Sequence, residues 1–403
     1  MAGHHLESGF PKATHGASPM PGPQEYSPSR RIRLAGLDSL RCYAATSIIL
    51  FHLVLVGHVL LPVSVDFVRS YFGFGVPLFF VVSAFSITYG YVDQISGNRD
   101  VEIFLARRVF RIAPLFYAML VYQLLLLHFI VHTDKSCGEI ISNVIFIFNF
   151  IPNFVDGIVP ASWSIGVEML FYFICPVMMI LGRTLRGSMA LLVVALFIAV
   201  GFYTGVLVAN GLNPSFVYHG FLTCSPYFCW GILFYHCFRR LDGLSVSAWI
   251  RVLSAWTMLI AGVGVIILLM NWGELYAFFW KRGVRVIWDS IWGMPFGLIC
   301  VGMALHPIPL VSNVVTRYLG KISFSLYLTH PGIIYYMGKD GVYEYISRMF
   351  GSSPIFAFMT SVIVTVAIVG AVSSLTYRWI EVPGMKLGKI CTDRMAMRFK
   401  AVG

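Results

Sequence analysis

The sequence predicts an all-α polytopic membrane protein of about ten transmembrane helices plus one short re-entrant or interfacial segment. Composition is the first reason: 58% of the 403 residues are hydrophobic, 15% aromatic and only 12% charged, with a mean hydropathy of +0.78, far outside the range of a water-soluble domain. The second is that the apolar residues gather in about ten runs close to the ~20 residues a helix needs to cross a bilayer. The third is that Lys and Arg sort into alternate connections, as the positive-inside rule requires.

Residues 1–34 read as a disordered cytoplasmic tail, because Pro11, Pro19, Pro21, Pro23 and Pro28 lie among Gly, Ser and His with no apolar periodicity. The transmembrane domain follows over 35–385, with spans near 39–61, 71–92, 112–131, 161–181, 187–209, 217–238, 250–270, 285–305, 319–338 and 354–377. The stretch Ile140 to Phe150 is short, aromatic and followed by Pro152, which suits a re-entrant or interfacial segment. Residues 386–403 form a basic cytoplasmic tail carrying Lys386, Lys389, Arg394, Arg398 and Lys400.

Arg30, Arg31 and Arg33 precede the first span, and Arg99, Arg107, Arg108 and Arg111 lie between the second and third. Both termini are therefore expected in the cytoplasm. The exception is Lys281, Arg282 and Arg285, which fall in an outer loop. A net charge of +11 spread over several short loops is an orientation signal, with no continuous basic stripe to suggest nucleic acid. The eight cysteines lack paired metal spacing, and His4, His5 and His15 lack a partner set, so no metal is expected.

Ionisable residues at membrane depth are the candidate chemistry. His52 follows Arg41 by eleven residues, about three helical turns, so the two share one helix face about 16 Å apart. At 1.5 Å per residue His52 lies about 20 Å from the inner end of its span, His330 about 16 Å from that of its own, and Glu168 about 10 Å from its outer end. Three proton-active groups are thus expected near one level. Glu168 could equally cap backbone groups, and His330, before Pro331, could be a helix-to-helix donor. Arg108 and Arg111, one turn apart, can grip a phosphate together. Glu381 reads as an inner-surface ion pair with Arg378. Tyr276 to Trp280, with Trp272, could stack on sugar rings or form an interfacial belt.

Six segments in order resemble the acyltransferase-3 family of integral membrane acyltransferases, over nearly everything from Leu37 to Lys389. They are Leu37 to Thr46 continuing to His52, Gly75 to Phe85, Phe104 to Pro114, Ser162 to Glu168 with Phe171 and Tyr172, Leu319 to Pro331, and Tyr377 to Pro383. The family pairs a basic residue with a histidine at the spacing of Arg41 and His52, and its Arg-x-x-Arg is matched by Arg108 and Arg111. Two departures are Ala84, where the family has Ser-Gly-Phe, and Met169, where a second acid is common. The resemblance implies transfer of an acyl group, commonly acetyl, from acyl-coenzyme A to a hydroxyl of a carbohydrate, glycolipid or related acceptor, in a bacterial inner membrane. Family members act on O-antigen, exopolysaccharide, peptidoglycan, Nod factors and macrolides. On that basis Arg108, Arg111 and Arg41 hold coenzyme A phosphates, His52 is the general base, and Glu168 orients it. Ser83, Tyr327 and His330 line the cavity. The alternative is a proton-coupled transporter or flippase using His52 and Glu168 as a relay.

Overall fold

The computed structural model describes residues 34–57, 59, 62–208, 214–351 and 353–402. The expected tail at 1–34 lies outside these except for Leu34. All regular structure among the described residues is helical. The main helices are α1 (Ala35–Leu55), α2 (Gly75–Tyr91), α3 (Asn98–Leu126), α4 (Cys137–Val144), α5 (Trp163–Leu181), α6 (Leu185–Val208), α7 (Phe221–Asp242) and α8 (Ala248–Asn271). They continue as α9 (Arg285–Ile291), α10 (Gly293–Leu305), α11 (Val314–Lys321), α12 (Ser323–Lys339), α13 (Val342–Phe350), α14 (Pro354–Thr376) and α15 (Val382–Val402).

Eight helical stretches among the described residues are long and apolar enough to cross a membrane: Ala35–Leu55, Val63–Tyr91, Asn98–Val131, Trp163–Leu181, Leu185–Val206, Ala248–Asn271, Arg285–Leu305 and Pro354–Met397. The protein is integral to a membrane. The expected spans at 217–238 and 319–338 are also helices, α7 and α12, but neither is among the eight. α12 has 17 residues, and α7 ends in Arg239, Arg240 and Asp242, with Thr223, Cys224, Ser225 and Pro226 in its first half. Both are largely buried. Interior helices can carry such polar groups because neighbouring helices, rather than lipid, meet them.

Ile140 to Phe150 does not cross. α4 is a single eight-residue helix, capped by Ser136 accepting from the Glu139 N–H, and Phe146 then turns the chain with φ of 59°. Two buried asparagines fasten it: Asn143 Oδ1 accepts from the Ile158 N–H at 3.0 Å, and Asn149 bonds the Phe221 N–H at 2.8 Å and the His219 carbonyl at 2.7 Å. Polar side chains that satisfy irregular backbone inside protein are what a non-crossing segment needs.

Close backbone approaches explain two motif positions. A Cβ on Gly320 would stand 1.7 Å from the Asp38 carbonyl oxygen, so only glycine lets α11 lie against the start of α1. A Cβ on Gly231 of α7 would stand 2.7 Å from the Ala84 Cβ and 2.5 Å from the Val81 oxygen. Gly231 thus makes room for the extra methyl of Ala84, and α2 and α7 still touch.

Residues 386–402 of the expected basic tail continue as helix α15, packed along α3. It follows a π-helical turn at Tyr377–Glu381. Two of the three cations that break the expected charge pattern, Arg285 and Arg282, are met locally. Arg285 is paired with Asp289 at 3.3 Å and sits among the Tyr218, Trp280 and Tyr276 rings at 5.0, 5.3 and 6.0 Å. Arg282 lies 3.6 Å over Phe278. Cation–π contacts and an internal carboxylate offset charges that break the orientation pattern.

Candidate active site

His52 and His330 meet. His52 lies in the last turn of α1, because that helix ends at Leu55 and not near residue 61 as expected. His330 is fully buried in α12, with Pro331 beside it. The His330 Nε2 and His52 Nδ1 atoms are 3.0 Å apart, with ring centroids 4.9 Å apart.

The surrounding carbonyls assign the protons. His330 Nδ1 lies 3.2 Å from the Leu326 carbonyl oxygen and also bonds the backbone of Tyr327. Proline has no N–H, so Pro331 leaves the Tyr327 carbonyl without its helical donor and open to the imidazole. Carbonyls only accept, so His330 carries its proton on Nδ1 and presents a lone pair at Nε2. His52 Nδ1–H then donates to that lone pair, sharing its proton with the Ile48 carbonyl at 3.1 Å. The remaining His52 nitrogen, Nε2, is the basic one. His52 is only partly buried whereas His330 is shut in, so of the two rings only that of His52 is accessible.

Glu168 belongs to a neighbouring cluster. Its Oε1 accepts from Ser83 at 2.8 Å and from Tyr172, one turn on, at 2.5 Å. Among the described residues its hydrogen bonds go there and the bonds of His52 go to Ile48 and His330, so the expected Glu168-to-imidazole bond does not form. Tyr327 spans the two clusters. Its ring is 5.6 Å from that of His330, and its hydroxyl accepts from Ser164 at 2.7 Å and donates to the Ala161 carbonyl at 2.9 Å. That bond helps hold Ala161 at a φ of 62°, a conformation an alanine rarely takes.

Arg108 is set against the Tyr91, Phe104 and Tyr172 rings at 5.3, 5.5 and 5.8 Å and lies within electrostatic reach of Glu168. Its Nε is buried with no hydrogen-bond partner, a donor left over for a ligand. Arg111 feels the charge of Glu381 and makes no hydrogen bond or ion pair among the described residues. Glu381 is not on the surface with Arg378: it is buried and accepts from Ser325, which in turn accepts from Thr376 at 3.1 Å. The π turn carries it inward. Arg41 bonds Asp38 at 3.0 Å and Ser86 at 2.8 Å, tying α1 to α2 about 16 Å along α1 from His52.

At the edge of this interior His219 Nδ1–H donates to Asp156 at 2.6 Å, and its ring stacks on Trp163 at 4.0 Å. The hydrogen bond from His219 holds the Asp156 carboxyl below the usual carboxylate range.

The chain is 25% identical to YrhL of Bacillus subtilis, provisionally named a peptidoglycan O-acetyltransferase, over 87% of this chain and 54% of that protein. It is 25% identical to the O-acetyltransferase OatA of Staphylococcus aureus, over 88% of this chain and 58% of OatA. It is also 25% identical to ORF330 of Acidianus two-tailed virus, provisionally named an acetyltransferase, over 76% of this chain and 85% of that one. The chain thus spans little more than half the length of YrhL and OatA. No solved structure matches it. The family model described as an acyltransferase domain matches residues 34–373, and the chain belongs to the acyltransferase-3 family.

Proposed function

We propose that this protein is a membrane O-acetyltransferase that moves an acetyl group from acetyl-coenzyme A to a hydroxyl of a carbohydrate or related acceptor, in a bacterial inner membrane with both termini cytoplasmic. The observation that carries the reading is the His52–His330 pair, which leaves one partly accessible basic nitrogen, His52 Nε2. A neutral imidazole whose ordinary pKa is about 6.5 suits proton transfer near neutral pH.

In this mechanism Arg108 and Arg111 hold the coenzyme A phosphates by charge-assisted hydrogen bonds. Two features support this: the unpartnered Arg108 Nε and the absence of a hydrogen bond to Arg111 among the described residues. Glu168, held by Ser83 and Tyr172, fixes the surroundings of Arg108, and Arg41 braces α1 against α2. His52 Nε2 takes the acceptor hydroxyl proton as the oxygen attacks the thioester carbonyl. The carbon–sulfur bond breaks, and the proton passes to the departing thiolate. His330 Nε2 accepts from the Nδ1–H of the His52 imidazolium throughout, the orienting task that a carboxylate performs in triads.

The test uses the full chain in nanodiscs with radiolabelled acetyl-coenzyme A and a panel of saccharides that includes a peptidoglycan disaccharide, since YrhL carries that acceptor in its name. Alkali-labile label on a saccharide is the expected result. Folded protein that neither binds acetyl-coenzyme A nor releases coenzyme A would overturn the proposal.

A further inference from the structure

A cavity of about 710 Å³ opens one turn beyond His52. Its wall includes Val56 and Gly57 from the end of α1, Tyr335, Gly338 and Lys339 from α12, and Ser347 from α13. The volume lies within the about 300–1,000 Å³ typical of small-molecule sites.

α12 serves as a ruler for what surrounds it. Ser325, which donates to Glu381 beside Arg111, precedes His330 by five residues, about 7.5 Å along the helix. Tyr335 follows His330 by another about 7.5 Å and Lys339 by about 13.5 Å. The arginine end, the histidine pair and the cavity are therefore stacked in that order along one helix. On α1 the same order holds, with Val56 about 6 Å past His52 and the Val56 N–H bonded to the His52 carbonyl at 2.7 Å.

The lining is mixed. Tyr335 offers a half-exposed ring, Ser347 and Lys339 offer hydrogen-bonding groups, and Lys339 makes no ion pair among the described residues. Aromatic face plus dispersed polar groups is the chemistry that recognises a sugar ring and its hydroxyls. We infer that this cavity is the acceptor site, taking a saccharide unit so that one hydroxyl reaches His52 from the side opposite the arginines. This rests on the acetyltransferase reading and adds where the acceptor binds.

Gly338 gives the test. A Cβ there would stand 3.6 Å from the Gly57 backbone and 3.8 Å from Tyr343, ordinary contacts, so Gly338→Ala fits while Gly338→Leu intrudes on the cavity. Saturation-transfer NMR would follow chitotetraose and a peptidoglycan disaccharide on the full chain in nanodiscs, beside acceptor-free thioester cleavage of acetyl-coenzyme A. The expected result is saccharide signal in the wild type and in Gly338→Ala, a loss of at least tenfold in affinity in Gly338→Leu, and equal thioester cleavage in all three. Cleavage also shows that Gly338→Leu is folded; if it is not, Ser347→Trp replaces it. No saccharide binding to the wild type, or binding unchanged by a filled cavity, overturns this inference even where thioester cleavage upholds the enzyme reading.

Discussion

Replacing His330 by alanine tests the division of labour between the two histidines. His330 is buried and touches no substrate in this account; it acts by accepting from His52 at 3.0 Å. When His52 Nε2 takes a proton, that bond becomes one from a charged imidazolium, worth about 1.5–3 kcal/mol net. At 1.36 kcal/mol per decade its loss lowers kcat by roughly ten- to 150-fold. The KM for acetyl-coenzyme A should not change, because the arginines are untouched. Coenzyme A release under saturating donor and acceptor reads both constants. His330→Gln, which can restore an acceptor oxygen, should recover part of the rate. His52→Ala should cost about 10²–10⁴-fold, and adding His330→Ala to it should cost little more, because the two act as a unit. Independent effects that multiply, or a His330→Ala rate within twofold of wild type in folded protein, would refute the pairing.

Three further outcomes follow. Arg108→Gln removes a charge-assisted donor and should raise the KM for acetyl-coenzyme A by about tenfold or more with the acceptor KM unchanged, as donor and acceptor titrations would show; an equal rise in both would count against a donor site at Arg108. Gly320→Val, facing the Asp38 carbonyl at 1.7 Å, should destabilise the protein by about 1–3 kcal/mol or more, measured as a lower thermal midpoint in detergent. Asp156 is held below its ordinary pKa by His219, so its contribution to stability is present above the unfolded carboxylate pKa of about 3.9 and lost as pH falls through the depressed value. Asp156→Asn should therefore lower the thermal midpoint at pH 7, with the difference from wild type shrinking as pH falls below about 4; a difference independent of pH would contradict the pairing.

Much of this was legible in the sequence because the bilayer imposes length and polarity rules on each helix separately. Residue counts put His52 and His330 near one level, at about 20 and 16 Å from their inner ends, but not in contact: the bond between them is a finding of the structure. Those counts were approximate, since α1 stops at Leu55, but a helix ruler tolerates such error in level. What it cannot give is rotation. Glu168 stands in the same part of the chain as expected, yet its bonds go to Ser83 and Tyr172; Tyr172 at i+4 was a signal for that partner. Glu381 was misplaced because the π turn at Tyr377–Glu381 reorients the chain, and no spacing rule announces an extra residue in a turn. The tautomer chain needed carbonyl positions, although Pro331 beside His330 hinted that a free backbone oxygen was near.

Coenzyme A release from acetyl-coenzyme A by purified wild-type protein and by His52→Ala, each with the same saccharide panel, addresses the central claim most directly. The account predicts release by the wild type, and a loss of at least about 10²-fold in the variant while acetyl-coenzyme A still binds. Release that is equal in both proteins would contradict the assignment of His52 as the base.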